Sequence, residues 1–298
     1  MGLLVLKDGR VVLERYAGGN TAQTKWISFS IAKSVTSLLY GAAIRDRHIK
    51  TLDDQVIKYV PELAGTAYDG VTLRHLLQMS SGVAWNDDPR NRESDVAKLT
   101  QIDREGGLKA LLAYMGRLPR AAAPGTRFNY NTAETDLAGA VLRSATGRSL
   151  SEYLSEKIWK PFGMQSDAHW VKMRSGDLER GGCCISATLR DYGRIGLFAL
   201  SNGTTRNGTR ILPAHWMEES TRPASTNPGY GYYWWLRRNG GYHASGIFGQ
   251  HIEVNPKERV VVALQSYWTV AFNDELTGHH DAFIEAVTAA VRDARPGR

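Results

Sequence analysis

Ser30 and Lys33, three positions apart in Ser30-Ile31-Ala32-Lys33, carry the strongest chemical signal in the chain. They open a run whose apolar positions Ile31, Val35, Leu38, Leu39 and Ala42 recur at the spacing of one buried helical face. Residues three apart on a helix are neighbours, so the hydroxyl and the amine project to the same side of the first turn. That is a nucleophile beside a potential base. Alone, the pattern also fits a helix cap next to a solvated amine. Its setting argues for more, because no charge follows Lys33 until Arg45. Such a helix belongs in the interior, where an ammonium has to be neutralised, paired or used.

A serine hydroxyl is a poor nucleophile at neutral pH and needs a base within hydrogen-bond reach. Lys33 can be that base only when unprotonated, so its pKa must fall from about 10.4 toward about 7 to 8. Burial, the positive end of the helix and scarce water all push it down. A third group must carry protons to the leaving group, and Tyr130 is the candidate. It lies in Arg127-Phe128-Asn129-Tyr130-Asn131-Thr132, after the turn Ala123-Pro124-Gly125-Thr126 and before a capped helix, on a loop able to aim a phenol into a cleft. The Ser30 backbone amide, at a helix start, is one donor for a developing oxyanion.

The elements that would position these groups follow from periodicity. Leu3 to Leu6 and Val11 to Tyr16 flank Lys7-Asp8-Gly9-Arg10, a hairpin signal. Tyr242 to Ser245, His251 to Val254 and Val260 to Gln265 read as three late strands, the last two joined by Asn255-Pro256-Lys257-Glu258, and a helix from about Glu275 to Arg292 closes the chain. Between the ends, Leu73 to Met79, Gly107 to Met115, Thr132 to Thr146, Leu150 to Trp159 and Leu189 to Leu200 read as helices, the last opened by a capping pattern of Thr188 and Asp191. The expected class is α+β, a mainly antiparallel sheet completed by both chain ends with an inserted helical region. The expected division is a sheet domain of residues 1–48 and 183–298 around a mainly helical domain of residues 49–182, with the site in the cleft between them.

The order Ser-x-x-Lys, a loop tyrosine about a hundred residues later and a glycine in a late strand resembles the serine β-lactamase and penicillin-recognising superfamily, closest to its class C-type esterases and 6-aminohexanoate-dimer hydrolases. Leu76-Leu77-Gln78-Met79-Ser80-Ser81-Gly82-Val83, Gly181-Gly182-Cys183-Cys184-Ile185-Ser186, Ala187-Thr188-Leu189-Arg190-Asp191-Tyr192-Gly193-Arg194, Tyr230-Gly231-Tyr232-Tyr233-Trp234-Trp235 and Ser245-Gly246-Ile247-Phe248-Gly249-Gln250 are similar to stretches of those hydrolases. The resemblance implies a β-lactamase/transpeptidase-like fold and a Ser30, Lys33, Tyr130 mechanism through an acyl-enzyme. It also implies an oxyanion hole of the Ser30 and Ile247 amides, and substrate contacts from Trp85, Thr132, Trp234, Ser245 and Gly246, with Trp235 the weaker candidate of the adjacent pair.

The chain departs from the lactamase pattern at two motifs. Where lactamases carry Lys-Thr-Gly, the triplet is Ala244-Ser245-Gly246, and His243, one place too early on an alternating strand, should face away from Ala244 and the cleft. Where they carry Tyr-x-Asn, the triplet is Tyr130-Asn131-Thr132. Both changes argue against a carboxylate-bearing β-lactam as substrate. No Gly-x-Ser-x-Gly elbow or Ser-Asp-Asn tripeptide occurs. The expected function is hydrolysis of small esters or linear amides. The alternatives are a β-lactamase or DD-peptidase, and a non-catalytic ligand-binding module on the same fold.

The remaining composition sets limits. The 298 residues are 42% hydrophobic and 22% charged, with a net charge of +7, enough for one or two cores. The basic residues are scattered among acids with no basic stripe interleaved with aromatics, so no nucleic-acid partner is expected. No apolar run reaches membrane-span length and Met1 to Leu6 lacks the marks of a signal peptide, so the expectation is a cytoplasmic protein, with an upstream export segment left open by a chain that starts in a strand. Cys183 and Cys184 read as small buried residues. His279 and His280 have no third ligand in pattern, so no metal is expected. No organic cofactor is expected either, since water can release the acyl group. Asn86, Asp87 and Asp88 read as a solvated loop.

Overall fold

The computed structural model describes residues 1–174, 176 and 178–293. Its strands are β1 (Gly2–Lys7), β2 (Arg10–Tyr16), β3 (Trp26–Ile27), β4 (His169–Trp170), β5 (Ile185–Ala187), β6 (Trp235–Leu236), β7 (Tyr242–Ser245), β8 (His251–Asn255) and β9 (Val260–Gln265). The α-helices are α1 (Ile31–Arg45), α2 (Leu73–Leu77), α3 (Asp95–Met115), α4 (Thr132–Thr146), α5 (Leu150–Leu154), α6 (Lys160–Phe162), α7 (Leu189–Leu200), α8 (Trp216–Ser220) and α9 (Asp274–Asp293). α3 is broken at Gly106 and Gly107, the latter with φ of 57°, a backbone conformation glycine adopts without penalty.

The main sheet is antiparallel with strand order β2-β1-β9-β8-β7-β6, so the first hairpin pairs with the last strand. Alternation along each strand divides the core. Leu4, Leu6, Ala244, Ile252, Val254, Val261 and Ala263 point into the large interior cluster, whereas Val5, Val260 and Val262 point the other way and are capped by Ile284 of α9. A second, three-stranded sheet of order β3-β5-β4 ties the segment before α1 to segments near residues 170 and 186.

α1 is the central element. Every residue from Ile31 to Ala43 is buried, not one face alone, so the one-sided pattern read from its apolar positions understates its burial. Two of the extra polar positions bond to neighbouring backbone: Ser34 Oγ donates to Tyr233 O at 2.6 Å and Thr36 Oγ1 to Gly181 O at 2.9 Å, whereas Ser37 Oγ has no partner among the described residues. Such pairing offsets the cost of burying a short polar side chain. Cys184 is buried and Cys183 half-buried.

Candidate active site

The N-terminus of α1 is held from both sides. Ser28 exchanges bonds with β5, its N–H donating to Ile185 O at 2.7 Å while its Oγ accepts from Ile185 N at 2.9 Å. Phe29 then takes a φ of 46°, an uncommon value for a side chain of that size. That turn delivers Ser30 to the helix start, where its hydroxyl makes no capping bond. The oxygen instead accepts from Lys33 Nζ at 3.1 Å.

Lys33 is 1% exposed and its Nζ also contacts Gly182 O at 3.1 Å and Thr132 Oγ1 at 3.3 Å. Gly182 is fixed by Asp136, whose Oδ1 accepts the Gly182 N–H at 3.0 Å. A Cβ on Gly181 would stand 2.2 Å from Thr135 O, so only glycine lets this turn lie on α4 and bring the Gly182 carbonyl to the amine. Burial lowers the Lys33 pKa to about 8, against the opposing pull of Asp87 and Asp136. A substantial neutral fraction near physiological pH follows, as a general base requires.

Tyr130 reaches the same point from its loop. The flanking Asn129 and Asn131 amides donate to Met79 O at 2.7 Å and Met79 Sδ at 3.3 Å, and Asn131 caps α4 through Glu134 N. The ring stacks on Trp235 with centroids 5.9 Å apart and an interplanar angle of 20°, and Lys33 Nζ lies 5.1 Å from its centroid. Its hydroxyl is paired with Ser30, and burial pushes its pKa far above the ordinary phenol value. The phenol therefore stays protonated and can donate, which leaves the base to Lys33.

Asp87, expected in a solvated loop, is instead part of the site. Its carboxylate accepts from Trp85 Nε1 at 2.6 Å, Thr132 N at 2.9 Å and Thr132 Oγ1 at 3.0 Å. Burial raises its pKa despite the attraction of Lys33. Trp85 and Thr132 thus act on the site through Asp87 and Lys33. Neither is among the residues that line the cavity at Ser30.

That cavity, about 450 Å³, opens onto Ser30, Tyr130, Ser245, Gly246 and Ile247. β6 is two residues long, so the chain after Ser245 runs past its end and the edge there is uncovered. Among the described residues, neither the Ser30 nor the Ile247 backbone N–H has a protein acceptor, as two oxyanion donors would need. Trp234 is a correction: it is 0% exposed and packs edge-on against Tyr242 with centroids 5.2 Å apart, while Trp235 is the one that lines the cavity. On an extended chain adjacent side chains face opposite ways, and here the inner face took Trp234.

His243 corrects a further expectation. Its ring does face away from the buried Ala244, but the cavity continues around onto that side beneath α9, so His243, His251 and His280 line it. Burial and the neighbouring His251 and Arg237 hold the His243 pKa well below the usual imidazole value. The ring is thus neutral and supplies no cation there. His280, expected at the surface, has its pKa pushed down to about 3, chiefly by burial; His279 is exposed. His243, His251 and Glu253 offer donor atoms within 4.8 Å of one another, a spacing a divalent ion could bridge. Glu253 Oε2 is already occupied by Arg237 Nη2 at 3.1 Å, Arg237 Nε at 3.2 Å and His251 Nε2 at 2.9 Å, while His243 Nδ1, 3.7 Å from the same oxygen, has no hydrogen-bond partner among the described residues. The signal for this group was present as His-x-Glu on an alternating strand, but only the β7–β8 register brings His243 to it.

The profile of the beta-lactamase family matches residues 1–282. The chain belongs to that family. The 6-aminohexanoate-dimer hydrolase of Paenarthrobacter ureafaciens is 28% identical over 286 residues, covering 89% of this chain and 72% of the relative. A solved structure from Bacillus anthracis described as a candidate 6-aminohexanoate-dimer hydrolase superposes with a TM-score of 0.85 at 25% identity, over 99% of this chain and 80% of its own. A family VIII carboxylesterase shares the fold at a TM-score of 0.73 and 20% identity, over 97% and 92% of the two chains. This member of the beta-lactamase family is accordingly a serine hydrolase with the β-lactamase/transpeptidase-like fold, and among the described residues no helix is long and apolar enough to cross a membrane.

Proposed function

We propose that the protein hydrolyses small linear amides and esters through an acyl-enzyme on Ser30. The observation that carries this is the Lys33 amine, buried, with its pKa near 8, and 3.1 Å from the Ser30 oxygen. In the proposed sequence Lys33 takes the Ser30 proton as Oγ attacks the carbonyl carbon, and the Ser30 and Ile247 amides hold the resulting oxyanion. Collapse breaks the bond to the leaving amine or alcohol, which takes a proton from Tyr130; the Lys33 ammonium then reprotonates Tyr130. Water attacks the acyl carbon and Ser30 recovers its proton by the reverse path.

The cavity favours linear substrates over β-lactams. Ala244 is 1% exposed in the core, and the charged side chains among the described cavity-lining residues are Asp87 and Asp281, both acidic. Nothing there complements the carboxylate of a penicillin or a peptide terminus, whereas apolar walls from Trp235, Trp268 and Phe272 suit an uncharged acyl chain. The relatives with amide and ester substrates in their names support the same reading. A panel of short aryl esters, linear anilides and a chromogenic cephalosporin, with mass detection of acyl-Ser30, tests it. Turnover of esters or anilides with the acyl mass on Ser30 is expected; faster turnover of the cephalosporin would reverse the substrate assignment.

A further inference from the structure

The cleft contains a second ordered series of polar groups that the Ser30, Lys33 and Tyr130 steps do not use. In the β7–β8 register Ser245 stands opposite His251 and His243 opposite Glu253, all on the α9 side of the sheet. Ser245 Oγ is 3.0 Å from His251 Nδ1, and His251 Nε2 is 2.9 Å from Glu253 Oε2. Arg237 closes the series with its guanidinium on Glu253 at 3.1 Å and on Asp281 at 2.9 Å. His251 and Glu253 are 3% and 4% exposed, so water does not compete for these bonds.

The proton positions follow from donor and acceptor arithmetic. A carboxylate paired with arginine only accepts, so in the neutral imidazole the His251 proton sits on Nε2 and Nδ1 is left as an acceptor. Ser245 must then give its single hydroxyl proton to Nδ1. What remains on Ser245 is its lone pairs, and Ser245 lines the cavity. We propose that Ser245 is a fixed hydrogen-bond acceptor facing the substrate, oriented by His251 and Glu253, and that the enzyme therefore selects acyl donors bearing an N–H, secondary amides above all. The inference rests on the hydrolase reading above and adds the substrate class to it. His251 and Glu253 are positioning residues, since they act through Ser245.

The test uses three substrates with one acyl group, an anilide, its N-methylanilide and the phenyl ester, assayed at about pH 8, above the ordinary imidazole range. The parent should prefer the anilide to the N-methylanilide in kcat/KM, and Ser245→Ala should reduce that ratio about tenfold, the value of one hydrogen bond. The added methyl is present in both proteins, so the change in ratio isolates the bond. Ser245→Thr keeps the hydroxyl and should restore the ratio. His251→Phe keeps a ring in place but removes the Nδ1 acceptor, which frees the Ser245 hydroxyl to donate, so the ratio should fall although Ser245 is intact. A ratio unmoved by Ser245→Ala or by a folded His251→Phe overturns the inference alone. A parent inactive on all three substrates removes the proposed function, and this inference with it.

Discussion

The Lys33 amine lies 3.1 Å from the Ser30 hydroxyl while only 1% exposed. Burial and proximity together make the pair chemically competent: the same interior that brings Nζ to Oγ lowers the amine's pKa to about 8. An exposed lysine at the same distance would stay cationic and could only polarise the oxygen.

Replacing the amine should therefore cost as much as replacing the nucleophile. Lys33→Met keeps the packing volume and removes the base. Its kcat/KM on an aryl ester is expected to fall by about a thousandfold or more, matching Ser30→Ala, because groups that act as a unit are not additive. Circular dichroism establishes that both variants are folded. A lysine variant within about tenfold of the parent would point to another base.

Asp87 should set the pH at which the enzyme turns on. Activity rises as Lys33 loses its proton, and the Asp87 carboxylate holds that pKa up against burial. Asp87→Asn removes the charge, so the Lys33 pKa drops and the rising limb of kcat/KM against pH moves toward acid, by up to about one pH unit. A limb that stays in place or moves toward base contradicts the electrostatic link.

Trp234 and Trp235 should divide stability from function. Trp234→Ala empties a fully buried site and is expected to cost about 3 to 5 kcal/mol in urea unfolding. Trp235→Ala takes away the ring stacked on Tyr130 and is expected to lower kcat/KM about tenfold at a smaller loss of stability. The opposite order would show that the two faces have been misassigned.

Glu134 should make the fold lose stability as pH rises. Its Oε2 is buried without a partner, and burial raises its pKa from 4.5 to about 7. A raised folded-state pKa means that the native state binds the proton more tightly than the unfolded chain. The stabilisation is full below about pH 4.5 and is lost as pH rises through about 7, amounting to about 3 kcal/mol at most. Urea midpoints across that window should fall with pH in the parent and less steeply in Glu134→Gln; parallel curves contradict the assignment.

What the sequence disclosed depends on how local each signal is. The opening hairpin and the strands β7, β8 and β9 were legible from alternation and turn residues, and α1 from its apolar spacing with Ser30 and Lys33 on one turn. The two-residue strands β3, β4 and β6 are too short to show a period. The first half of α3 is rich in charge and ends at Gly106-Gly107, so only its second half was read as helix. The family motifs placed Tyr130 near Ser30 from a hundred residues away. Asp87 and the His243, His251, Glu253 group were missed because their meaning is tertiary. Asp87 became functional when Trp85 and Thr132 closed on it, and the histidines when α9 covered the sheet and the cavity extended beneath it.

The most direct measurement is the rate of Ser30 modification by a fluorophosphonate as a function of pH, with peptide mapping of the adduct. A single adduct on Ser30, forming at a rate that climbs with pH through a midpoint of about 8, is the expected result. An adduct at another residue, or a rate at Ser30 indifferent to pH between about 6 and 10, would contradict Lys33 as the base.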